Sequence, residues 1–177
     1  KMVNKVGRDI PEEILEMTGK EVFQGNYYKD NTEFQKRGPI TKVVMNHDTS
    51  KMVSSIHEAL VKCGAHDGMT LGFHHHFREG DLVVNMVMQE VKNMGIKDVT
   101  ICASSLGKAH DALVPLIEDG TITNIQSSGV RGKIGEAIST GKLKGLATMR
   151  SHGGRVRAIQ TGGTTIDISF IGAPTCD

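Results

Sequence analysis

The sequence predicts an α/β fold in which a mostly parallel sheet is flanked by helices on both faces. From about residue 50 onward, short apolar runs alternate with segments of helical periodicity. Such alternation is typical of parallel strands joined by helical crossovers. The chain of 177 residues also contains 21 glycines and only 4% aromatic residues, which favours a glycine-turned α/β enzyme over an aromatic-rich binding module.

The composition argues against several other classes of protein. Lys and Arg number 21 and Asp and Glu number 20, so the basic excess that nucleic-acid binding needs is missing. No apolar run approaches the roughly 20 residues that span a bilayer, and the polar residues 1–9 do not resemble a signal peptide. Three scattered cysteines without CxxC spacing predict reduced thiols and a cytoplasmic location. We therefore expect no nucleic-acid partner and no membrane partner.

Two regions are predicted, an N-terminal arm over residues 1–48 and an α/β domain over residues 49–177. The arm lacks periodicity except for a short helix at 11–17, where Pro11 suits a first turn and two glutamates follow it. Because residue 1 is Lys and the chain stops just after a predicted strand, we expect a piece of a longer protein.

The helices of the α/β domain are predicted from apolar stripes at helical spacing. They cover residues 50–64, 81–95, about 112–118, and 134–141. Ser50 and Asp81 are candidate N-caps, and Gly64 is a candidate residue just past a helix end. Pro115 is compatible only with the first turn of its helix or with a kink.

The strands are predicted from short apolar runs bounded by turn residues. They cover residues 69–73, 98–103, 122–126, 156–160 and 165–171, and a further short apolar run lies at 146–149. The run at 165–171 is nearly continuous, which is typical of a strand buried on both faces.

Four turns that follow or flank these strands are polar and small, and we interpret them as one ligand site. They are residues 74–81, 104–107, 127–132 and 151–155. Ligands of open α/β sheets bind at the carboxyl ends of the strands, and arginines in three of these turns can grip carboxylates. The pattern predicts a polyanionic ligand, a multi-carboxylate or a phosphate. Taken singly, each serine–glycine turn is weak evidence because such turns also cap helices, and Arg131 or Arg155 alone fits a surface charge better than a ligand clamp.

The candidate ligand-binding residues are His74, His75, His76, Arg78, Ser104, Ser105, Ser128, Gly129, Arg131, Gly153, Gly154 and Arg155. No residue is nominated as catalytic. The histidines outside these turns, His47, His57, His66 and His110, are interpreted as structural or solvated. No GxGxxG fingerprint, P-loop or GxSxG elbow occurs, so dinucleotide binding and a hydrolase triad have no support.

The triple histidine also suggests a zinc site, because His74 and His76 would point to the same side of an extended segment. A structural zinc site needs four ligands and a catalytic one about three. No cysteine or acidic cluster stands at ligand spacing, so hydrogen bonding to a carboxylate or acid–base work is favoured and no metal is predicted. A metal hydrolase that uses these histidines remains an alternative.

Several long motifs resemble the α subunit of citrate lyase. They are TLGFHHHFREGDLVVNMVMQEV at 70–91, residues 103–106, SSGVRG at 127–132, SHGGR at 151–155 and GAPTCD at 172–177. The resemblance implies a CoA-transferase-like fold of the NagB/RpiA/CoA-transferase type. It also implies that residues 49–177 are the first half of a longer two-domain subunit. The active site would then lie at the junction with the second half, and the fragment alone is expected to be inactive.

The resemblance further implies a citrate CoA-transferase, which exchanges acetate for citrate on an acyl-carrier thioester. A citrate carboxylate attacks the acetyl thioester, a mixed anhydride forms, and the thiolate returns to give the citryl thioester and acetate. No cofactor binds the chain directly, since a CoA-type phosphoribosyl-dephospho-CoA arm is carried by the acyl-carrier subunit. Glu79 is not nominated as a nucleophile, because this subfamily dispenses with a covalent glutamate.

The partners implied by the resemblance are citrate, acetate, the β subunit and the acyl-carrier (γ) subunit of an oligomeric citrate lyase. Citrate and citramalate fit the residue pattern equally. A different class of function also remains open, a non-catalytic carboxylate or sugar-phosphate binding or sensor domain on the same scaffold.

Overall fold

A computed structural model of the chain describes residues 2–24, 51–74 and 82–173. The chain divides into two compact units, Lys1–Val44 and Met45–Asp177. In the described part of the first unit, strand β1 (Met2–Val3) pairs antiparallel with β2 (Asp9–Ile10), and helix α1 (Glu12–Thr18) follows. Pro11 is the N-cap of this helix, which confirms the short helix predicted there.

The second unit contains a sheet of five parallel strands in the order β6-β5-β4-β3-β7. The strands are β3 (Thr70–Phe73), β4 (Val99–Ala103), β5 (Ile122–Ser127), β6 (Ala147–Met149) and β7 (Ile168–Phe170). The helices are α2 (Ile56–Lys62), α3 (Val83–Asn93), α4 (Val114–Glu118), α5 (Gly132–Ser139) and α6 (His152–Gln160), and a 3₁₀ helix at Lys108–Leu113 precedes α4. This architecture confirms the predicted α/β fold. Among the helices of the described ranges, none is long and apolar enough to cross a membrane.

The strand order determines which face of the sheet each helix covers. Strands β3 to β6 advance in one direction, so right-handed crossovers place α3, α4 and α5 on the same face. The chain then returns past β3 to form β7, which places α6 on the opposite face. A contact of 3.6 Å between Arg155 of α6 and Cys102 of β4 agrees with this arrangement.

Two neighbouring rows of side chains across the sheet differ in chemistry. Leu71, Ile101 and Ile125 are in register on β3, β4 and β5, and all three are fully buried. The next row, Gly72, Cys102 and Gln126, points to the other face because side chains alternate along a strand. The first row packs in the core with the buried side of α3, and the second faces α6. The sheet therefore has an apolar face and a small or polar face.

The strand predicted at 156–160 is wrong, because these residues belong to helix α6. Ser151 caps this helix, and its Oγ accepts a hydrogen bond of 3.0 Å from the Gly154 N–H. None of the residues of α6 is buried, so the helix lacks the apolar stripe from which a helix is recognised in a sequence. The strand that pairs with β5 is instead the short run Ala147–Met149.

The run at 165–171 is not a strand buried on both faces. Only Ile168–Phe170 forms β7, which is an edge strand in which Ser169 is exposed. The two residues before it contact β3 through their side chains. Asp167 accepts a hydrogen bond of 2.7 Å from the Thr70 N–H through Oδ2, and Ile166 lies against Gly72.

The starts of helices α2 and α3 also differ from the prediction. Helix α2 begins at Ile56 rather than residue 50, because the Ser55 hydroxyl accepts a hydrogen bond of 3.1 Å from the Glu58 N–H. The cap predicted at Ser50 is therefore wrong, and so is the cap predicted at Asp81, because the N-cap of α3 is Leu82. Both predicted caps lie outside the described residues. Pro115 occupies the first turn of α4, as predicted.

Gly72 is required by the close approach of the chain over the sheet. A Cβ at this position would lie 2.8 Å from Ile166 Cγ2 and 3.0 Å from Ser169 Oγ. We expect Gly72→Ala to lower the free energy of unfolding by about 1–3 kcal/mol, the usual cost of overpacking. Urea denaturation measures this loss. The control Gly163→Ala, where the nearest atom would be 3.6 Å away, should have little effect, and equal losses would contradict the explanation.

Asp119 joins three segments at the amino ends of β4 and β5. Its Oδ1 accepts from the Thr121 N–H at 2.9 Å, and its oxygens lie 3.3 Å from Lys92 Nζ and 3.4 Å from Lys97 Nζ. Partial desolvation raises the pKa of Asp119, but hydrogen bonds from Thr121 together with the two lysines outweigh it and lower this pKa to about 2.

The lowered pKa of Asp119 predicts a specific pH dependence of stability. A carboxylate whose pKa is depressed on folding stabilises the protein above its ordinary pKa of 3.8, and this contribution disappears as the pH falls towards 2. Asp119→Asn should therefore be less stable than the wild type at neutral pH, and the difference should shrink between pH 4 and pH 2. Chemical denaturation across this range measures it, and a difference independent of pH would refute the assignment.

Candidate functional site

The turns predicted to bind a ligand begin at the same edge of the sheet. Because all five strands are parallel, their carboxyl ends meet at that edge. His74 follows β3, Ser104 follows β4, Ser128 follows β5 and Arg150 follows β6. The four predicted turns therefore begin at neighbouring positions along this edge.

The turns after β4 and β5 are joined by backbone hydrogen bonds. The Ser128 N–H donates to the Ser104 carbonyl at 3.1 Å, and the Leu106 N–H donates to the Gly129 carbonyl at 3.0 Å. The Arg131 N–H donates in turn to the Leu106 carbonyl at 2.9 Å. These bonds continue the parallel ladder beyond the strands, so they fix the positions of Ser104, Ser128 and Gly129. The Ser128 hydroxyl is buried and has no hydrogen-bond partner among the described residues.

The amino end of helix α5 is capped by a carboxylate of the chain itself. Asp111 Oδ1 accepts a hydrogen bond of 2.7 Å from the Lys133 N–H in the first turn of the helix. Gly132 has a φ of 69° there, and a Cβ on it would lie 2.5 Å from the same Oδ1 atom. A ligand anion at this helix end would compete with Asp111. The exposed Arg131 side chain, which precedes the helix, is the remaining cationic group of this turn.

The turn after β6 leads directly into helix α6 and carries two arginines. Ser151 caps the helix, Gly153 is exposed, and a Cβ on Gly153 would meet nothing within 4 Å. The first turn of α6 contains no acidic residue. Backbone N–H groups at such a helix end favour anions. Arg150 immediately precedes this turn and Arg155 lies at its end, so cationic side chains flank it.

The two arginines rest on the polar face of the sheet. Arg150 Nη1 donates to Gln126 Oε1 at 2.9 Å, and the Thr164 hydroxyl donates to the same oxygen at 2.7 Å. Arg155 Nη2 lies 3.6 Å from Cys102 Sγ, and its Nε is buried without a partner among the described residues. Neither arginine forms an ion pair within residues 2–24, 51–74 and 82–173.

The histidines occupy separate environments. His74 is half-buried at the end of β3, and its backbone N–H donates to the Phe170 carbonyl at 3.0 Å. His75, His76 and Arg78 lie outside the described residues, so their proposed role in ligand binding remains a prediction. His110 is fully buried and its Nδ1 accepts from the Gly107 N–H at 3.0 Å, which confirms its structural interpretation.

Two other histidines make contacts away from the carboxyl edge. His57 Nδ1 lies 2.8 Å from Glu90 Oε1 and links α2 to α3, and His66 Nδ1 lies 2.7 Å from the Asp67 carbonyl. His47 lies outside the described residues. Within the described residues, no group of three His, Cys, Asp or Glu side chains could hold a metal ion. The zinc alternative depended on His76 as well as His74, and His76 lies outside the described residues, so the zinc site stays an alternative.

A groove of about 540 Å³ lies between helices. Its lining is mainly apolar and comes from α2, α3 and the segment around α4, including Ile56, Leu82, Met86, Leu113 and Leu116. It contains none of the predicted ligand-binding residues. We therefore place the candidate site at the carboxyl edge, where the cationic and N–H groups are.

The sequence analysis missed four residues that build the site. Arg150 was assigned to no turn, and Gln126, Thr164 and Cys102 were not considered. Arg150 could have been found from the short apolar run at 146–149, since the residue after a strand faces the carboxyl edge. The contact between Gln126 and Arg150 spans 24 positions and leaves no trace in local periodicity.

The family model for the citrate lyase α subunit matches residues 49–177. The chain belongs to the citrate lyase α subunit family. It is 40% identical over 161 residues to the citrate lyase α chain of Haemophilus influenzae, covering 91% of this chain and 32% of that one. It is 46% identical over 127 residues to the α chain of Escherichia coli, covering 72% of this chain and 25% of that one.

A solved structure assigned to the citrate lyase α subunit of Streptococcus mutans, in complex with citrate, has the same fold. The match has a TM-score of 0.72 at 44% identity, and it covers 97% of this chain and 32% of that one. The chain thus spans a quarter to a third of the length of these citrate lyase α subunits.

Asp111 contributes to stability as the cap of α5. Asp111→Ala removes the acceptor of the Lys133 N–H, and loss of such a cap costs about 1 kcal/mol. We expect this decrease in the free energy of unfolding in urea denaturation. Glu136→Ala, on the exposed side of the same helix, is the control. An equal effect of the two substitutions would show that Asp111 does not act as a cap.

Proposed function

We propose that this chain is part of a transferase subunit that exchanges acetate for citrate on an acyl-carrier thioester within citrate lyase. The observation that carries the proposal is the pair of arginines at the carboxyl edge, Arg150 and Arg155. They flank the first turn of α6 and form no ion pair within the described residues. The solved relative from Streptococcus mutans, whose complex contains citrate, supports the choice of ligand.

The charge of the proposed ligand matches these groups. Partly buried guanidinium groups without a counter-ion are costly, and a bound carboxylate offsets that cost through charge-assisted hydrogen bonds. Citrate carries three carboxylates, so it can occupy both arginines and still present a group to the N–H donors of α6. The exposed Arg131 is a further candidate on the neighbouring turn.

The proposed reaction needs residues that orient two acyl groups and stabilise a developing oxyanion. The carrier's CoA-type arm supplies a thioester carbonyl as acyl donor and a thiolate as leaving group. The described residues leave room for an extended group, because a Cβ at Gly129 or Gly153 would meet nothing within 4 Å. The Ser128 hydroxyl, which has no hydrogen-bond partner within the described ranges, and the first N–H groups of α6 are donors suited to an oxyanion. Holding both partners at one edge contributes further through proximity.

The proposal includes partners and a location. In citrate lyase the chain would work with a β subunit and an acyl-carrier (γ) subunit in an oligomer. We assign it to the cytoplasm, in keeping with the free thiols of Cys63 and Cys102. The alternative of a non-catalytic binding or sensor domain is not favoured by membership of the citrate lyase α subunit family.

Citrate binding by the intact protein tests the proposal. Calorimetric titration with citrate should show binding, and titration with a phosphosugar should not. Arg155→Ala and Arg131→Ala should each weaken citrate binding about tenfold or more, since each removes a charge-assisted contact. Arg157→Ala, an exposed arginine of the same helix, is the matched control. Wild-type affinity in both Arg155→Ala and Arg131→Ala would reject this site assignment.

Acetyl exchange tests the reaction itself. The intact protein, mixed with acetylated carrier and citrate, should release acetate, which an enzyme-coupled assay detects. Citrate binding without any acetate release would favour the sensor alternative over the transferase.

A further inference from the structure

Gln126 occupies the polar face of the sheet next to the candidate site. It lies one residue before the end of β5, in register with Cys102 of β4 and Thr148 of β6. A polar side chain at the centre of a parallel sheet is unusual, because such strands are normally apolar on both faces. Its position therefore calls for a specific partner.

The side-chain oxygen of Gln126 is held by two donors. Arg150 Nη1 donates to Oε1 at 2.9 Å, and the Thr164 hydroxyl donates to it at 2.7 Å. A guanidinium can only donate, so the atom facing Arg150 is the oxygen of the amide. Thr164 is itself buried, and its N–H donates to the Ala158 carbonyl at 3.0 Å. The hydrogen bond from the buried threonine therefore fixes the position of the amide oxygen.

Arg150 is held by hydrogen bonds of both its backbone and its side chain. Its backbone N–H donates to the Ser127 carbonyl at 2.9 Å, and its guanidinium is bound to Gln126. The neighbouring Arg155 contacts Cys102, the register partner of Gln126. The two guanidinium groups thus contact neighbouring strands, β4 at Cys102 and β5 at Gln126. Adjacent strands are about 4.8 Å apart.

The groups that hold the arginines are neutral. An amide oxygen orients a guanidinium without cancelling its charge, whereas a carboxylate at the same position would form an ion pair and compete with any ligand. Cys102 is likewise a weak and uncharged partner. Within the part of the chain that the structure describes, both arginines therefore keep their charge for an anion, and a ligand with more than one carboxylate suits the pair.

We propose that Gln126 is a positioning residue, which holds Arg150 beside Arg155 as a carboxylate-binding group for a di- or tricarboxylate ligand. The inference rests on the proposed function, since it assigns new residues to the same site. It also gives Gln126 a role that depends on Arg150, and a double-mutant cycle distinguishes this dependence from a general loss of citrate binding.

A double-mutant cycle in the intact protein tests the inference, with citrate affinity from calorimetry as the readout. Arg150→Ala should weaken citrate binding about tenfold or more. Gln126→Met, which keeps the length of the side chain and removes the acceptor, should weaken it about threefold to tenfold. In the Arg150→Ala background, Gln126→Met should cause no further loss, because the group that it orients is already absent.

Gln126→Glu tests the importance of a neutral partner. The new carboxylate should pair with Arg150, so citrate affinity should fall about tenfold or more, even though the arginine remains in place. Binding of acetate, which has one carboxylate, should fall less. Gln160→Glu, the same change at the exposed far end of α6, should leave citrate affinity unchanged.

The outcomes separate this inference from the proposed function. If the wild type binds citrate and Arg155→Ala abolishes binding, but Arg150→Ala and Gln126→Glu keep wild-type affinity, the inference alone is overturned. Equal losses from Gln126→Met in the wild-type and Arg150→Ala backgrounds would also overturn it, because the effect would then be general. If the wild type binds no citrate, the proposed function fails and this inference fails with it. Arg150→Ala keeps the bond between Gln126 and Thr164, so its fold should be preserved.

Discussion

The register of the three central strands is the constraint on which the rest of the molecule depends. Leu71, Ile101 and Ile125 form one fully buried row across β3, β4 and β5. A shift of any strand by one residue would turn its apolar side chains towards the polar face. The core therefore fixes the register, and the register in turn determines that Cys102 and Gln126 lie side by side on the other face. The packing of the apolar face thus determines where Cys102 and Gln126 lie on the opposite face.

The strand order has a second consequence for the site. Helices α3, α4 and α5 cover the apolar face, whereas the return of the chain to β7 brings α6 over the polar one. Helix α6 has no buried residues, and its described contacts with the sheet are polar. A helix held by such contacts, rather than by an apolar stripe, keeps its first residues Ser151 and Gly153 exposed. The fold therefore provides an apolar face for stability and a polar face, on which we place the proposed ligand site.

Much of the fold could be predicted from the sequence because burial leaves a periodic pattern. Helix α3, with its buried Val84, Val87, Met88 and Val91, and the strands β3, β4 and β5 follow such patterns. Helix α6 was missed because it has no buried side, and the length of β7 was overestimated because an apolar run does not reveal an edge position. The site was predicted as a set of turns, since residues after parallel strands share one edge. The links of Gln126 to Arg150 and of Asp111 to Lys133 join residues more than 20 positions apart, and local patterns do not encode them.

The bonds that continue the ladder between the turns after β4 and β5 have a consequence for selectivity. Leu106 donates to Gly129 and accepts from Arg131, and a parallel bridge joins Leu106 to Val130. These turns are ordered by folding itself, so a ligand that arrives there finds a rim already in its final shape and loses little loop entropy on binding. A rigid rim also adapts poorly, and a molecule of the wrong outline leaves donors without acceptors. For the proposed site we therefore expect selectivity to come from preorganisation, because the backbone that completes the sheet is already fixed before a ligand binds.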